Sequence, residues 1–136
     1  KGYEHLDIKT VNGDDYKARK TLAAAIVKSG TITLENALLQ IPMVVVYKLS
    51  FISYLITKRL IRVKTVSLPN IIAGKQVVPE LLQNNFTPEK ISQKIFEIIK
   101  NKKYANFIKN EYKKIHKLIY IKGTLKNTAH AILKEI

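Results

Sequence analysis

The sequence predicts an α/β fold: a partial Rossmann-like parallel sheet with helices on both faces, followed by a helical C-terminal extension. Three observations predict it. The runs "AAIVKS" (24–29) and "MVVVYK" (43–48) flank a segment of helical periodicity, which makes a strand–helix–strand unit. Neither run alternates apolar with polar residues, the habit of strands covered on both faces of a parallel sheet. From Thr87 onward the apolar residues recur only at helical spacing. The chain therefore divides into a sheet-bearing part, 1–86, and a helical extension of the same domain, 87–136.

Taken in order, "HLDIKTV" (5–11) reads as a short strand, and Asn12-Gly13 as a turn. Asp14 is placed to cap a helix through "DYKARKTLAA", with Tyr16, Leu22 and the alanines on its apolar side. The 24–29 strand ends at a glycine. Leu34, Ala37, Leu38 and Ile41 then mark the buried face of a helix, and Pro42 introduces the β-branched 43–48 strand. "SFISYLITKRLIRV" (50–63) reads as a helix with Ser50 at its cap. "KTVSLPN" (64–70) reads as a fourth strand over 64–68, because Pro69 pushes the residue before it from helical angles. Residues 70–85, with Gly74 and Pro79, read as a region of short turns. Thr87-Pro88 pairs a cap with a first-turn proline. Ile91, Ile95, Ile98 and Ile99 share one helical face; Tyr104, Phe107, Ile108, Tyr112, Ile115, Leu118 and Ile119 form a second stripe. Gly123-Thr124 breaks the chain before a last helix with Ala129 and Ile132. Four short strands are few for a doubly wound sheet, so the reading expects Lys1 not to be the true beginning and further strands to lie upstream.

Composition narrows the function classes. With 136 residues and 46% hydrophobic content the chain can bury a core and is not of disordered composition. No apolar run approaches the roughly 18 residues of a membrane span. The chain has no cysteine, which excludes disulfides and thiolate metal sites; His5, His116 and His130 lie far apart and form no metal or triad pattern, so no cofactor is expected. Net charge is +14, which attracts phosphate-rich partners. Yet only three of the 24 basic residues are arginine (Arg19, Arg59, Arg62), and no RNA-type aromatic motif accompanies them, so nucleic acid is not expected as a partner. "YKLSFISYLITKRLIRVK" (47–64) mixes apolar bulk with Lys48, Lys58, Arg59, Arg62 and Lys64. It reads either as a basic amphipathic helix at an anionic membrane surface or as a core helix with a basic end.

One turn carries chemistry. In an open parallel sheet, ligands sit beyond the carboxyl ends of the strands, and Ser29-Gly30-Thr31 falls at such an end immediately before a helix. The first amides of that helix lack internal partners and carry positive partial charge, which favours a phosphate. Glycine lets a ligand approach the backbone, and the two hydroxyls add contacts. Glu35, one turn further on, is placed to accept hydrogen bonds from a ribose diol. On these residues alone a second reading stands beside the nucleotide one: an ordinary strand-to-helix turn with an acid favoured by the helix dipole.

The longer string resembles a known family. "SGTITLE" (29–35), "PMVVVYK" (42–48), "SLPN" (67–70) and "PELLQ" (79–83), in this order and spacing, look like the C-terminal half of the lipid-A-disaccharide synthase family. The resemblance covers about residues 24–90, and the helical tail agrees in length and pattern only. It implies the C-terminal domain of a GT-B fold, the nucleotide-sugar-binding part of a bacterial inverting hexosyltransferase of lipopolysaccharide and lipid A biosynthesis. The implied donor is UDP-2,3-diacylglucosamine and the implied acceptor 2,3-diacylglucosamine 1-phosphate, joined with release of UDP. Carried onto this chain, Ser29, Gly30 and Thr31 would face the UDP phosphates, Glu35 the ribose, and Asn70 the donor sugar and phosphate. Tyr47, Glu80 and Gln83 are candidates to line the same cleft; a strand-end core position for Tyr47 and a solvated helix face for Glu80 and Gln83 are the structural alternatives.

The family's enzymes are much longer, and their N-terminal domain would supply the acceptor site and the catalytic base. No catalytic residue is assigned in this chain, and these residues alone are expected to be inactive. The implied location is cytoplasmic, peripheral at the inner membrane. Two other readings compete: a different UDP-sugar transferase of the same fold, and a non-catalytic basic module that binds RNA or anionic lipid.

Overall fold

The computed structural model describes residues 6–11, 15–49, 65–120 and 132–133. Three parallel strands, β1 (Ala25–Lys28), β2 (Met43–Tyr47) and β3 (Glu80–Leu82), form a sheet in the order β1-β2-β3. The register sets Ala25 against Met43 and Val27 against Val45, then Val45 against Glu80 and Tyr47 against Leu82. Among the described residues, α-helices α1 (Tyr16–Lys20), α2 (Thr31–Leu38), α3 (Leu68–Ala73), α4 (Pro88–Lys100) and α5 (Lys102–Ile119) accompany it.

The strand–helix–strand unit is present as expected. β1 runs into α2 through Ser29-Gly30, and β2 returns parallel to β1, so Gly30 stands at a carboxyl end. Met43, Val44 and Val45 are fully buried one after another. Successive strand residues point to opposite faces, so both faces of β2 are covered. β1 behaves differently. Its exposure alternates, with Ile26 at 54% and Lys28 open to solvent, which corrects the expectation of a strand buried on both faces.

The other two expected strands are corrected. Residues 6–11 form no regular element and are exposed, with no strand partner among the described residues. Residues 65–67 make no ladder either, and Leu68 already begins α3. The reason is chemical: the amides of Val66 and Ser67 donate to the Glu80 carboxylate at 2.9 Å each, not to a neighbouring strand. The third strand comes instead from 80–82, inside the stretch expected to be turns. Pro79 stands just before it, where a missing N–H is harmless, and its carbonyl accepts from Val45 N at 2.9 Å.

The helices follow their caps. Asp15 caps α1, its carboxylate accepting from Ala18 N at 2.9 Å; the expected cap, Asp14, lies outside the described residues. α1 is five residues long and buries none of them, so Tyr16 and Leu22 form no apolar side. On α2 the buried face is Thr33, Asn36 and Ala37, while Leu38 is 42% exposed; of the expected stripe, Ala37 and Ile41 are the fully buried members. Thr87 caps α4, accepting from Lys90 N, with Pro88 behind it. Asn101 both ends α4 and caps α5, its Oδ1 accepting from Tyr104 N at 3.0 Å. Ile91, Ile95 and Ile98 turn towards the core and Ile99 turns out. On α5, Ile108, Glu111, Tyr112 and Ile115 are buried at helical spacing, whereas Phe107, Leu118 and Ile119 are exposed. The proposed helix over 50–63 and the break at 123–124 lie outside the described residues.

One core joins sheet and tail. Val44, Val45, Val77 and Val78 pack with Ile98, Ile108, Tyr112 and Ile115 in a single cluster. α5 is also fastened by charge. Glu111, 5% exposed, receives Lys75 Nζ at 2.7 Å and Lys114 Nζ at 2.6 Å. The Lys114 hydrogen bond first, and the Lys75 bond second, hold its carboxyl below the usual carboxylate range. A carboxylate with a lowered pKa in the fold adds stability above its unfolded pKa, and that stability is lost as pH falls through the lowered value. Glu111→Gln should therefore cost about 1 kcal/mol at neutral pH and flatten the acid limb of a plot of Tm against pH. Parallel acid limbs in the two proteins would refute this.

Candidate functional site at the carboxyl edge of the sheet

β1 and β2 deliver Lys28, Ser29 and Gly30 to one edge of the sheet beside Tyr47 and Lys48, and β3 brings Gln83 to the same edge. Lys28 Nζ lies 6.0 Å from the centre of the Tyr47 ring, a cation at the mouth that the sequence reading did not single out.

Gly30 is the pivot. Its φ of 157° and ψ of −169° belong to a region that essentially only glycine occupies. Behind this turn α2 opens with no side-chain cap and no acid in its first turn. Thr33 N returns to the Gly30 carbonyl at 3.1 Å, while the Thr31 and Ile32 amides have no acceptor among the described residues. Among the described residues, no atom other than those of its chain neighbours lies within 4 Å of the position a Gly30 Cβ would take, so the space beside the turn is open there. Unpaired amides at the positive end of a helix are a site for an anion.

The flanking hydroxyls point inward. Ser29 Oγ donates to the Val66 carbonyl at 2.6 Å, and Thr33 Oγ1 donates to the Gly30 carbonyl at 2.7 Å while lying 3.4 Å from Leu68 N. These bonds tie the turn after β1 to the start of α3. The Ser29 oxygen keeps lone pairs for a ligand donor; Thr31 is exposed at the first position of α2.

Glu80 organises the facing wall. One carboxylate oxygen accepts from Val66 N; the other accepts from Ser67 N at 2.9 Å, Ser67 Oγ at 2.6 Å and Asn70 Nδ2 at 2.7 Å. Asn70 is equally occupied: Nδ2 also donates to the Val78 carbonyl, and Oδ1 accepts from Val77 N and Val78 N. The start of α3 thus holds a carboxylate of its own, whereas the start of α2 holds none among the described residues. Two neighbouring helix starts have opposite character, and only α2 offers vacant donors to an anion.

The eight residues named from the sequence therefore separate into three sets. Ser29, Gly30, Thr31, Glu35 and Tyr47 lie on or beside the open edge. Asn70 and Glu80 direct their polar atoms into the protein and latch the 66–70 segment. Gln83 closes the ladder beyond β2, with Leu49 N donating to its Oε1 at 2.7 Å and its φ at 50°. Glu35 is not alone: Arg19 Nη1 donates to its Oε2 at 2.9 Å. The sequence reading missed Arg19, Thr33 and Ser67. The signal for Arg19 was its rarity: it is one of only three arginines among 24 basic residues, and the first of them in the chain.

Among the described residues no cluster of His, Asp and Glu could hold a metal ion, and no helix is long and apolar enough to cross a membrane.

A family model described as lipid-A-disaccharide synthetase matches residues 2–136. The lipid-A-disaccharide synthase of Methylobacillus flagellatus is 35% identical over 135 residues, covering 99% of this chain and 35% of that protein. That of Syntrophus aciditrophicus is 38% identical over 122 residues, covering 90% of this chain and 32% of the relative. That of Hydrogenovibrio crunogenus is 47% identical over 103 residues, covering 74% and 27%. The chain spans about a third of the length of the first two curated relatives.

Proposed function

The chain belongs to the lipid-A-disaccharide synthetase family, and from that premise we propose that it is the nucleotide-sugar-holding part of a lipid A glycosyltransferase. The observation that carries the proposal is the bare start of α2 behind Gly30, set beside an α3 start already filled by Glu80. A diphosphate fits the first and is repelled by the second. The donor is UDP-2,3-diacylglucosamine, the acceptor 2,3-diacylglucosamine 1-phosphate, and the product their β-1,6-linked disaccharide.

The reaction inverts the donor carbon. The acceptor's 6-hydroxyl oxygen bonds to the anomeric carbon of the donor, the bond from that carbon to UDP breaks, and the hydroxyl proton passes to a base. Negative charge then grows on the departing diphosphate. The Thr31 and Ile32 amides, oriented before reaction by the helix, stabilise it there, and fixed donors need no reorganisation at the moment of bond cleavage. The base is supplied from outside these residues. Glu80 is saturated by four donors and Glu35 is paired with Arg19, so neither stands free to take a proton. These residues alone therefore make no disaccharide.

Both substrates are lipids, so the protein works peripherally at the cytoplasmic side of the inner membrane. The segment 47–64, read either as a membrane-surface helix or as a core helix with a basic end, falls outside the described residues after Leu49. Lys109, Lys113 and Lys117 support the same contact: they lie exposed, one turn apart, along α5.

The test is a titration followed at the backbone amides. UDP should shift the Gly30, Thr31 and Ile32 signals, UMP should bind roughly ten-fold more weakly for want of the second phosphate, and uridine should leave those amides unmoved. Vesicles of anionic phospholipid should retain the protein at low salt and release it at high salt. Failure of UDP to shift those amides, with tight salt-dependent RNA binding instead, would replace this reading with that of a basic binding module.

A further inference from the structure

Arg19 is a basic side chain whose hydrogen bonds among the described residues both go to α2. Its guanidinium is a two-armed bridge: Nη1 donates to Glu35 Oε2 at 2.9 Å, and Nη2 donates to Asn36 Oδ1 at 2.6 Å. The Tyr16 ring lies 5.4 Å from the guanidinium carbon, on the same short helix. The Arg19 side chain is only 11% exposed, whereas that of Glu35 is 40% exposed.

The two acceptors differ in kind. Asn36 is buried on the inner face of α2 and cannot move without disturbing the core. Glu35 stands at the rim, where an unheld carboxylate would sample several rotamers. Arg19 therefore transmits the fixed position of Asn36 to the adjustable position of Glu35. A lysine has one ammonium and no planar fork, so it does not reproduce this geometry. Helix α1 buries none of its own residues, so the bridge is not a by-product of a packed helix interface. The pairing leaves Glu35 Oε1 without a protein donor among the described residues.

We propose that Arg19 is a positioning residue for nucleotide recognition: it fixes Glu35 so that Oε1, aided by the remaining lone pair of Oε2, is preset to accept the hydroxyls of the donor's ribose. This rests on the assignment of Glu35 to the ribose, made above from its place in the sequence and from family resemblance. It revises that assignment in one respect. The two carboxylate oxygens are not equivalent: one is free, and the other already serves the protein. Preorganisation of this kind lowers the cost of binding by removing rotamers before the ligand arrives.

The experiment compares UDP with 2′,3′-dideoxy-UDP on the intact protein that carries this sequence, and reads the ratio of the two affinities. That ratio reports ribose hydroxyl recognition and cancels effects on phosphate binding or on the folded fraction. Glu35→Gln should reduce the ratio by roughly ten-fold. Arg19→Gln should reduce it by at least about three-fold, and Arg19→Lys, which keeps the charge but loses the fork, should fall between Arg19→Gln and wild type. Melting temperatures are taken in parallel. If Arg19→Gln did not fold, Arg19→Lys would carry the same comparison. A ratio that Glu35→Gln collapses and the Arg19 variants leave unchanged would overturn the proposal, because Arg19 would then only fasten α1. A ratio that Glu35→Gln itself leaves unchanged would instead defeat the ribose assignment, and the proposal with it.

Discussion

Glu80→Ala should unfold more easily than wild type by about 3 kcal/mol, a drop in Tm of about 10 °C or more. Glu80 accepts four hydrogen bonds, from Val66 N, Ser67 N, Ser67 Oγ and Asn70 Nδ2. Alanine would leave all four donors unmatched, and Ser67 and Asn70 are buried. A buried donor left unsatisfied costs about 1–3 kcal/mol. The sum must be discounted, because Glu80 is only half-buried and water can reach part of the vacated space. Glu80→Gln should lose less, since it keeps one acceptor oxygen. The binding readout separates two roles. The Val66 peptide is held from both ends, its N–H by Glu80 and its carbonyl by Ser29. Loss of Glu80 should therefore loosen the turn before α2 and weaken UDP binding together with stability. A variant with unchanged Tm and lost UDP affinity would make Glu80 a ligand contact and not a latch.

How far the sequence discloses this arrangement depends on the range of the interactions. The turn at 29–31 and the strands on either side are local: a glycine, a helix period and two apolar runs within about twenty residues specify them. The cap at Thr87 and the core face of α5 at Ile108, Tyr112 and Ile115 are equally local in origin. The third strand is not. Residues 64–68 and 80–82 each carry two apolar residues in a short run, and a carboxylate thirteen residues from Ser67 decides between them by capturing the Ser67 amide. No local pattern encodes that choice. The same holds for the site. "SLPN" and "PELLQ" contain polar residues at fixed spacing, but spacing does not tell whether a side chain faces a ligand or a neighbouring backbone. Asn70 has its four hydrogen bonds inside the fold, three with the carbonyl and amides of residues 77–78 and one with Glu80. Leu38 failed as a core residue for a related reason. Thr33 and Asn36 take the inner face of α2 because their polar atoms find partners there, so helical hydrophobic periodicity misplaces the face by about one residue.

Gly30→Ala should separate binding from folding at the site itself. The backbone at Gly30 holds φ 157° and ψ −169°, and an alanine there would bear roughly 1–3 kcal/mol of strain. The strain comes from the backbone, because the new Cβ meets no atom within 4 Å beyond its chain neighbours among the described residues. Two consequences follow for the ligand. Either the methyl group remains in the open approach to the Thr31 and Ile32 amides, or the turn relaxes to a negative φ and those amides swing from their present direction. Both remove a diphosphate from the helix start, so UDP affinity should fall by about 100-fold, near 2.7 kcal/mol. Gly74→Ala is the matched control. Gly74 ends α3 in the left-handed conformation, φ 64°, also with nothing within 4 Å of an added Cβ. It stands at the far end of α3 from the Ser67–Glu80 latch, so the substitution should lower Tm by an amount set by about 1 kcal/mol of strain and leave UDP affinity within about two-fold. Thermal unfolding and UDP titration of the two variants side by side measure both quantities. If Gly30→Ala lost stability as Gly74→Ala does and still bound UDP like wild type, Gly30 would be a turn residue only, and the anion site would have to lie elsewhere than at the start of α2.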